Sequence, residues 1–507
     1  MWRKKIGADI IAGLHLIADW QNIFFIFCGV CAGITLGAIP GLTATMGIAL
    51  IIPITFYMSP VASISMLIGA YKGGLFGGSI SAIMIGTPGT DSASATVEDG
   101  YPLAKQGKAG KALAMAVYAS VAGDLLGLSS LIVLAPLIAT VALKIGPGDF
   151  AAIMIFSLTM VAGISGKSMT KGVLSCVFGL LFGVIGMDPI IGLERLTFGI
   201  AELQNGISLI AFLIGLFAIP EILTQMEQKI TYAEPLLIKS DNPADDRVSW
   251  KELKENLRFI LLGGGIGIIV GAIPGIGPTV AAWMSYGQAR NISKHPEKFG
   301  HGALEGVAAP ESGNNACCGG ALIPMFTLGV PGSGTVAILM GAFIIQGIFP
   351  GPMIFKEHGP IVYAIFAGLI VSNIILLFLA LLAIRRMAAP LCRAPKQILF
   401  PLILALCFVG AFGVTLAPFD MTVMLATGIL AYLMRKTGFP ASPMLLGFIL
   451  GPIGERAMRQ FLIVAGNDVT QIFRRPLAVI FIALTVLITA GIVRSQWKKA
   501  RVPTVEK

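Results

Sequence analysis

Four Pro-Gly pairs interrupt otherwise apolar stretches of this chain, at Pro40-Gly41, Pro88-Gly89, Pro274-Gly275 and Pro331-Gly332, and each proline is followed within five residues by Ser or Thr. Proline removes a backbone donor and clashes with the preceding turn, and glycine adds backbone freedom, so each pair ends a helix and frees several backbone groups. In hydrocarbon, such groups persist only where buried protein, water or a ligand satisfies them. Free N–H groups and partial positive charge at a helix N-terminus suit an anion, whereas carbonyls loosened at a C-terminal end suit Na⁺. The candidate substrate-binding residues are therefore Pro40, Gly41, Thr43, Pro88, Gly89, Thr90, Pro274, Gly275, Pro331, Gly332, Ser333 and Thr335. Ser92, Asn314, Asn315 and Asp124 are the candidate ion ligands, Na⁺ being the only metal expected. No catalytic residue and no organic cofactor are expected.

The elements that must hold these groups are membrane helices. Of 507 residues, 56% are hydrophobic and 12% charged, and the mean hydropathy is +0.86. Apolar runs long enough to cross a bilayer recur from Ile23–Ile39 to Leu477–Val493, and about a dozen membrane elements are expected at about 20 residues per span. The fold class is an all-α polytopic membrane protein with broken or re-entrant helices at the Pro-Gly motifs. The net charge of +10 lies between apolar runs, as in cytoplasmic loops facing anionic lipid, so a nucleic-acid partner is excluded. The seven cysteines lack zinc-site spacing and read as small buried hydrophobes. Residues 1–19 open with a basic stretch but lack an unbroken apolar core. They are expected to form an interfacial helix with Trp2, Ile6, Ile10, Leu14 and Ile17 on one face.

The breaks occur in register. GAIPG begins at Gly37 and again 234 residues later at Gly271, and a Gly-Gly pair leads into Gly-x-Pro-Gly at Gly86 and at Gly329. Two structural repeats are expected, residues 20–224 and 257–495, separated by a polar linker, 225–256, and followed by a basic tail, 496–507. Loop charge favours inversion of one repeat. Lys105–Lys111 and Gly166–Lys171 are basic where their counterparts Lys356–Pro360 and Ala417–Asp420 are not, and the bias reverses for Lys144–Asp149 against Arg385–Lys396 and Asp188–Arg195 against Arg435–Lys436. Matched broken helices in two repeats point to a transport site near the bilayer midplane.

Plainer readings stand beside these. A single break is more often a kink, and many of the 62 glycines serve close helix packing. Lys72 could attract a carboxylate or extend to a lipid headgroup. Asp124 could hold Na⁺ or a proton, or pair with a neighbouring helix. Glu98, Asp99 and Lys105 read as solvated or loop-ordering. An intramembrane hydrolase would need a catalytic dyad, and neither HExxH nor GxSxG is present. A channel lacks a filter or charged-pore motif.

GTPGTDSASATVEDGYPLAKQGKAGK from Gly86, GAIPGIGPTVAAWMSY from Gly271 and GVAAPESGNNACCGGAL from Gly306, with Gly37–Thr43 and Leu328–Thr335, closely resemble the large membrane subunit of tripartite tricarboxylate transporters, the TctA family. The resemblance spans nearly the whole chain. It implies a bacterial inner-membrane permease that works with a small membrane subunit and a periplasmic solute-binding protein, driven by an ion gradient, usually Na⁺. The implied substrates are carboxylates, from citrate to aromatic acids, moved by alternating access. The absence of a P-loop motif agrees with a transporter not driven by ATP. Cys317-Cys318 departs from the small residues usual in the family. A stand-alone carboxylate carrier is the alternative.

Overall fold

The computed structural model describes residues 2–164, 168–227, 243–382, 384–393 and 396–500. Residues 228–242 of the expected linker, 501–507 of the expected tail and 165–167 at the Gly166 loop therefore lie outside the described residues. The chain is nearly all-α. Its first half supplies α1 (Trp2–Ala18), α2 (Trp20–Ala38), α3 (Ala44–Thr55), α4 (Pro60–Ile85), α5 (Ser94–Lys105), α6 (Ala109–Ala142), α7 (Pro147–Ile164), α8 (Met169–Gly183) and α9 (Leu209–Glu227). Its second half supplies α10 (Trp250–Ala272), α11 (Gly277–Ile292), α12 (Glu305–Leu328), α13 (Gly334–Ile345), α14 (Ile354–Glu357), α15 (Gly359–Leu382), α16 (Ile384–Cys392), α17 (Lys396–Thr415), α18 (Pro418–Lys436), α19 (Ala441–Val464) and α20 (Pro476–Ala500).

Among the described residues, six helices are long and apolar enough to cross a membrane: α2, α6, α9, α10, α15 and α17. Their outward faces are apolar, as with Val133 and Leu137 on α6, Ile374 and Phe378 on α15, and Ile398 and Leu402 on α17. Further apolar helices, among them α3, α7, α8 and α13, are shorter. Helix starts follow local side-chain chemistry. The Thr43 and Ser333 hydroxyls accept the backbone N–H of Met46 (3.2 Å) and Val336 (3.3 Å), and Ser249 with Glu252 closes a reciprocal cap on α10.

The two most extensive helix interfaces are α2 on α4 and α10 on α12. Both are built from glycines four residues apart. A Cβ added to Gly29, Gly33 or Gly37 would fall on the carbonyl oxygen of Met66, Ala70 or Gly74, and one added to Gly263, Gly267 or Gly271 on that of Ala309, Gly313 or Cys317. The second trio lies 234 residues after the first. On α4 the answering row is Gly69, Gly73 and Gly77, against carbonyls of Ile26, Val30 and Ile34. On α12 that row is Ser312, Ala316 and Gly320, and the Ser312 hydroxyl donates to the Ile260 carbonyl at 2.6 Å. Small residues at this spacing let helix backbones touch, which is how helices associate where lipid removes the hydrophobic drive.

The chain divides into two compact units, Met1–Thr140 with Ser208–Tyr432, and Val141–Ile207 with Leu433–Lys507. Each draws on both halves of the sequence. In the first unit, Gly215 of α9 packs on the Met424 carbonyl of α18, and α17 also lies against α9. In the second, Gly447 of α19 packs on the Cys176 carbonyl of α8. Both α9 and α19 carry a proline five residues after that glycine, at Pro220 and Pro452. In the first unit α1 lies along α15, with Gly13 against the backbone of Ala364 and Ile17 buried. Ile10 and Leu14, expected on the same face as Ile17, point outward.

The polar stretch after α8 forms a two-stranded antiparallel hairpin, β1 (Gly186–Met187) with β2 (Glu194–Arg195). Asp188 organises it. Its carboxylate accepts the backbone N–H of Ile190 (2.8 Å) and Ile191 (3.1 Å) and pairs with Arg459 at 2.9 Å, and these contacts hold it below the usual carboxylate range.

Candidate substrate and ion site

The Pro-Gly tips repeat their backbone geometry. Ile39 and Ile273, which end α2 and α10, have φ/ψ of −90°/115° and −92°/116°. Gly41 and Gly275 follow at φ +96° and +87°, and Gly86 and Gly329 end α4 and α12 in the left-handed region at φ +68° each. These positive φ values favour glycine over residues with a Cβ.

Within each half the two tips pack on one another. The Gly89 N–H donates to the Gly78 carbonyl at 3.2 Å, and its Cα sits so close to the Gly37 carbonyl that a Cβ would strike it. In the second half the Gly332 N–H donates to Ala321 O at 3.2 Å, the Gly275 N–H donates to Gly332 O at 3.0 Å, and a Cβ on Gly332 would strike the Gly271 carbonyl. Pro274 and Pro331 are buried in this junction. The halves then meet: Thr45 Oγ1 lies 2.8 Å from Thr335 Oγ1. These threonines are the second residues of α3 and α13, so the positive first turns of two 12-residue helices face each other, capped by Thr43 and Ser333. The start of α11, at Gly277, lies beside Ser333.

Other expected site residues lie apart from this meeting point. The Thr90 hydroxyl is 3.1 Å from that of Ser92, next to Gly78 of α4. Gly41 faces α9, where a Cβ on it would meet the side chains of Gln225 and Glu221. Asn315 donates to the Glu311 carbonyl one turn back on its own helix at 2.9 Å. Asn314 is wholly buried, and neither of its amide atoms has a hydrogen-bond partner among the described residues. Asp124 is 2.5 Å from Lys72 Nζ, which also donates to the Leu369 carbonyl at 2.7 Å; both side chains are buried. The Tyr71 hydroxyl, also buried, lies beside Cys318 and Ser333.

Sequence reasoning passed over Glu311. Its carboxylate, wholly buried in α12, accepts the hydroxyls of Ser79 (2.5 Å), Thr96 (2.5 Å) and Ser120 (2.8 Å), contributed by α4, α5 and α6. The signal is present: a carboxylate in the run VAAPESGNNACCGGALIPMFTL is a functional candidate by position alone. Asp99 has a different task. Its Oδ1 accepts the N–H of Gly300 (2.9 Å), Gly302 (2.8 Å) and Ala303 (2.8 Å), and Tyr286 donates to Oδ2 at 3.0 Å. It orders the loop leading into α12, while Glu98 is exposed.

The sequence profile of the tripartite tricarboxylate transporter TctA family matches residues 23–446. An uncharacterised 52.8 kDa protein in the TAR-I ttuC' 3' region of Agrobacterium vitis is 36% identical over 490 residues, covering 94% of this chain and 95% of that protein. An uncharacterised protein in the TAR-II ttuC' 3' region of the same organism is 38% identical over 218 residues, covering 43% of this chain and 90% of that protein. No solved structure matches the chain.

Proposed function

Because the chain belongs to the tripartite tricarboxylate transporter TctA family, a family of transporters and not of enzymes, we propose that it is the large membrane subunit of an importer that takes carboxylates from a binding protein. The observation that carries this reading is the meeting of α3 and α13 at the Thr45–Thr335 contact. Two helix N-termini aimed at one place concentrate free N–H groups and partial positive charge, which suits a carboxylate. Thr43, Ser333, Thr335 and the first-turn N–H groups of α3 and α13 bind the substrate. The α9 pair Glu221 and Gln225, facing Gly41, belongs to the wall of the same path.

The coupling ion is Na⁺, held in the polar interior that includes Ser92, Asn314, Asn315 and the Lys72–Asp124 pair, where its charge offsets that of the anion. The two halves are inverted repeats. The equal φ/ψ values at Ile39 and Ile273, the paired glycine rows and the exchange of α9 and α19 between halves support duplication, and the loop charges support inversion. The loaded site crosses the bacterial inner membrane by rigid-body displacement of part of the protein against a scaffold that contains residues 112–143. A small membrane subunit and a periplasmic solute-binding protein complete the system.

Uptake of radiolabelled citrate and of an aromatic acid into proteoliposomes tests this, with the small subunit, the loaded binding protein and an inward Na⁺ gradient added singly and together. Uptake that needs all three supports the reading. Uptake by this chain alone makes it a stand-alone carrier.

A further inference from the structure

Among the buried carboxylates of the first unit, Asp124 and Glu311 lie in different surroundings. Asp124 has a cation at 2.5 Å, supplied by Lys72. Glu311 makes no ion pair among the described residues, and three neutral hydroxyls from three other helices converge on it. An ionised carboxylate is strongly disfavoured away from water, and hydroxyl dipoles alone do not cancel a full charge.

We propose that Glu311, with the hydroxyls of Ser79, Thr96 and Ser120, holds the Na⁺ that moves with the substrate. The inference rests on the coupled-transport reading above and gives it a charged ligand. Every donor is a hard oxygen, the ligand class that suits Na⁺ and discriminates against soft transition metals. One carboxylate among neutral groups matches a single positive charge, and no cluster of three His, Cys, Asp or Glu suited to a multivalent metal occurs among the described residues. A hydroxyl that donates its proton to the carboxylate keeps two lone pairs for a cation.

Asn314, three residues on and so on the same side of α12, has a buried amide oxygen with no hydrogen-bond partner among the described residues and adds a neutral ligand. The placement also explains coupling. Ser79 precedes and Thr96 follows the Pro88-Gly89 tip, so a cation at Glu311 ties that tip to α12, whose other end leads into the Pro331-Gly332 tip. Filling the ion site thus orders two of the four breaks on which the carboxylate depends. Asp124, whose charge Lys72 already matches, adds no net charge to that polar interior.

The test is equilibrium binding of ²²Na⁺ to the purified full chain in lipid nanodiscs. The wild type is expected to bind saturably, Glu311→Gln to lose binding, and Ser120→Ala and Thr96→Val to weaken it about 10-fold each. Ser333→Ala is expected to keep ²²Na⁺ binding while lowering carboxylate uptake by the complete transporter. If Glu311→Gln does not fold, the Ser120 and Thr96 variants carry the test. Wild-type ²²Na⁺ affinity in monodisperse Ser120→Ala and Thr96→Val variants overturns the proposal, as does a wild type that binds no ²²Na⁺ and imports on a pH gradient. Full uptake by Ser333→Ala together with lost ²²Na⁺ binding by Glu311→Gln would leave this proposal standing and overturn the carboxylate site at the tips.

Discussion

The α2/α4 and α10/α12 hairpins share a frame and bury opposite contents. Glycines at the same spacing bring both pairs of backbones into contact, and the helices end in the same dihedral angles. Aligning the row Gly69, Gly73, Gly77 with Ser312, Ala316, Gly320 puts Tyr71 and Lys72 where α12 has Asn314 and Asn315, and Ile68 where it has Glu311. One hairpin buries a cation and the other an anion. Backbone contact through small residues fixes the geometry without using the other helix faces, which leaves those faces free to carry different polar groups. A frame that occurs twice can in this way carry different polar groups.

The largest expected effect comes from breaking the cationic side. Lys72→Met leaves Asp124 buried without its partner and is expected to cost about 3–5 kcal/mol, read as a fall in the thermal unfolding midpoint in nanodiscs, with much of it recovered in the Lys72→Met/Asp124→Asn double variant. No recovery would mean that Lys72 acts through the Leu369 carbonyl rather than through the ion pair. The frame itself comes next. Gly33→Ala and Gly267→Ala each press a methyl group against a backbone carbonyl, and each is expected to lower stability by about 1–3 kcal/mol. Similar losses for the two would support a common frame, and a harmless change in one half would break the comparison.

The contact that joins the halves is smaller. A double-mutant cycle on Thr45→Val and Thr335→Val is expected to give a coupling of about 0.5–1.5 kcal/mol, with carboxylate KM raised in both single variants. Zero coupling would separate the two helix starts in solution. The smallest effect is a control. Gly265, on α10 between two packing glycines, has open space where a Cβ would stand, so Gly265→Ala is expected to lose nothing and to gain at most about 1 kcal/mol from helix propensity.

The sequence marked the Pro-Gly tips and the hydroxyls after them because proline and glycine act on their own backbone, whatever surrounds them. It marked Lys72 and Asp124 as charges in apolar surroundings, but not as partners, since 52 residues separate them and only the packing of α4 against its neighbours closes the gap. Glu311 was hidden for a related reason. Lys72 and Glu311 lie on α4 and α12, which are buried along nearly their whole length and are not among the six helices apolar enough to read as spans. Hydropathy therefore finds the shell and underweights the centre.

The features legible along the chain are local: where helices break, which residues cap them, that a Gly-rich pattern repeats at a fixed offset, and that the chain resembles one transporter family. Which breaks meet was decided only in three dimensions, as was the packing of α9 on α17 and α18 and of α19 on α8, the pairing of Lys72 with Asp124 and the convergence of three hydroxyls on Glu311. The physical reason is range. Dihedral preference and capping act over a few residues, whereas burial of a charge and its compensation depend on side chains brought from far along the chain by helix packing.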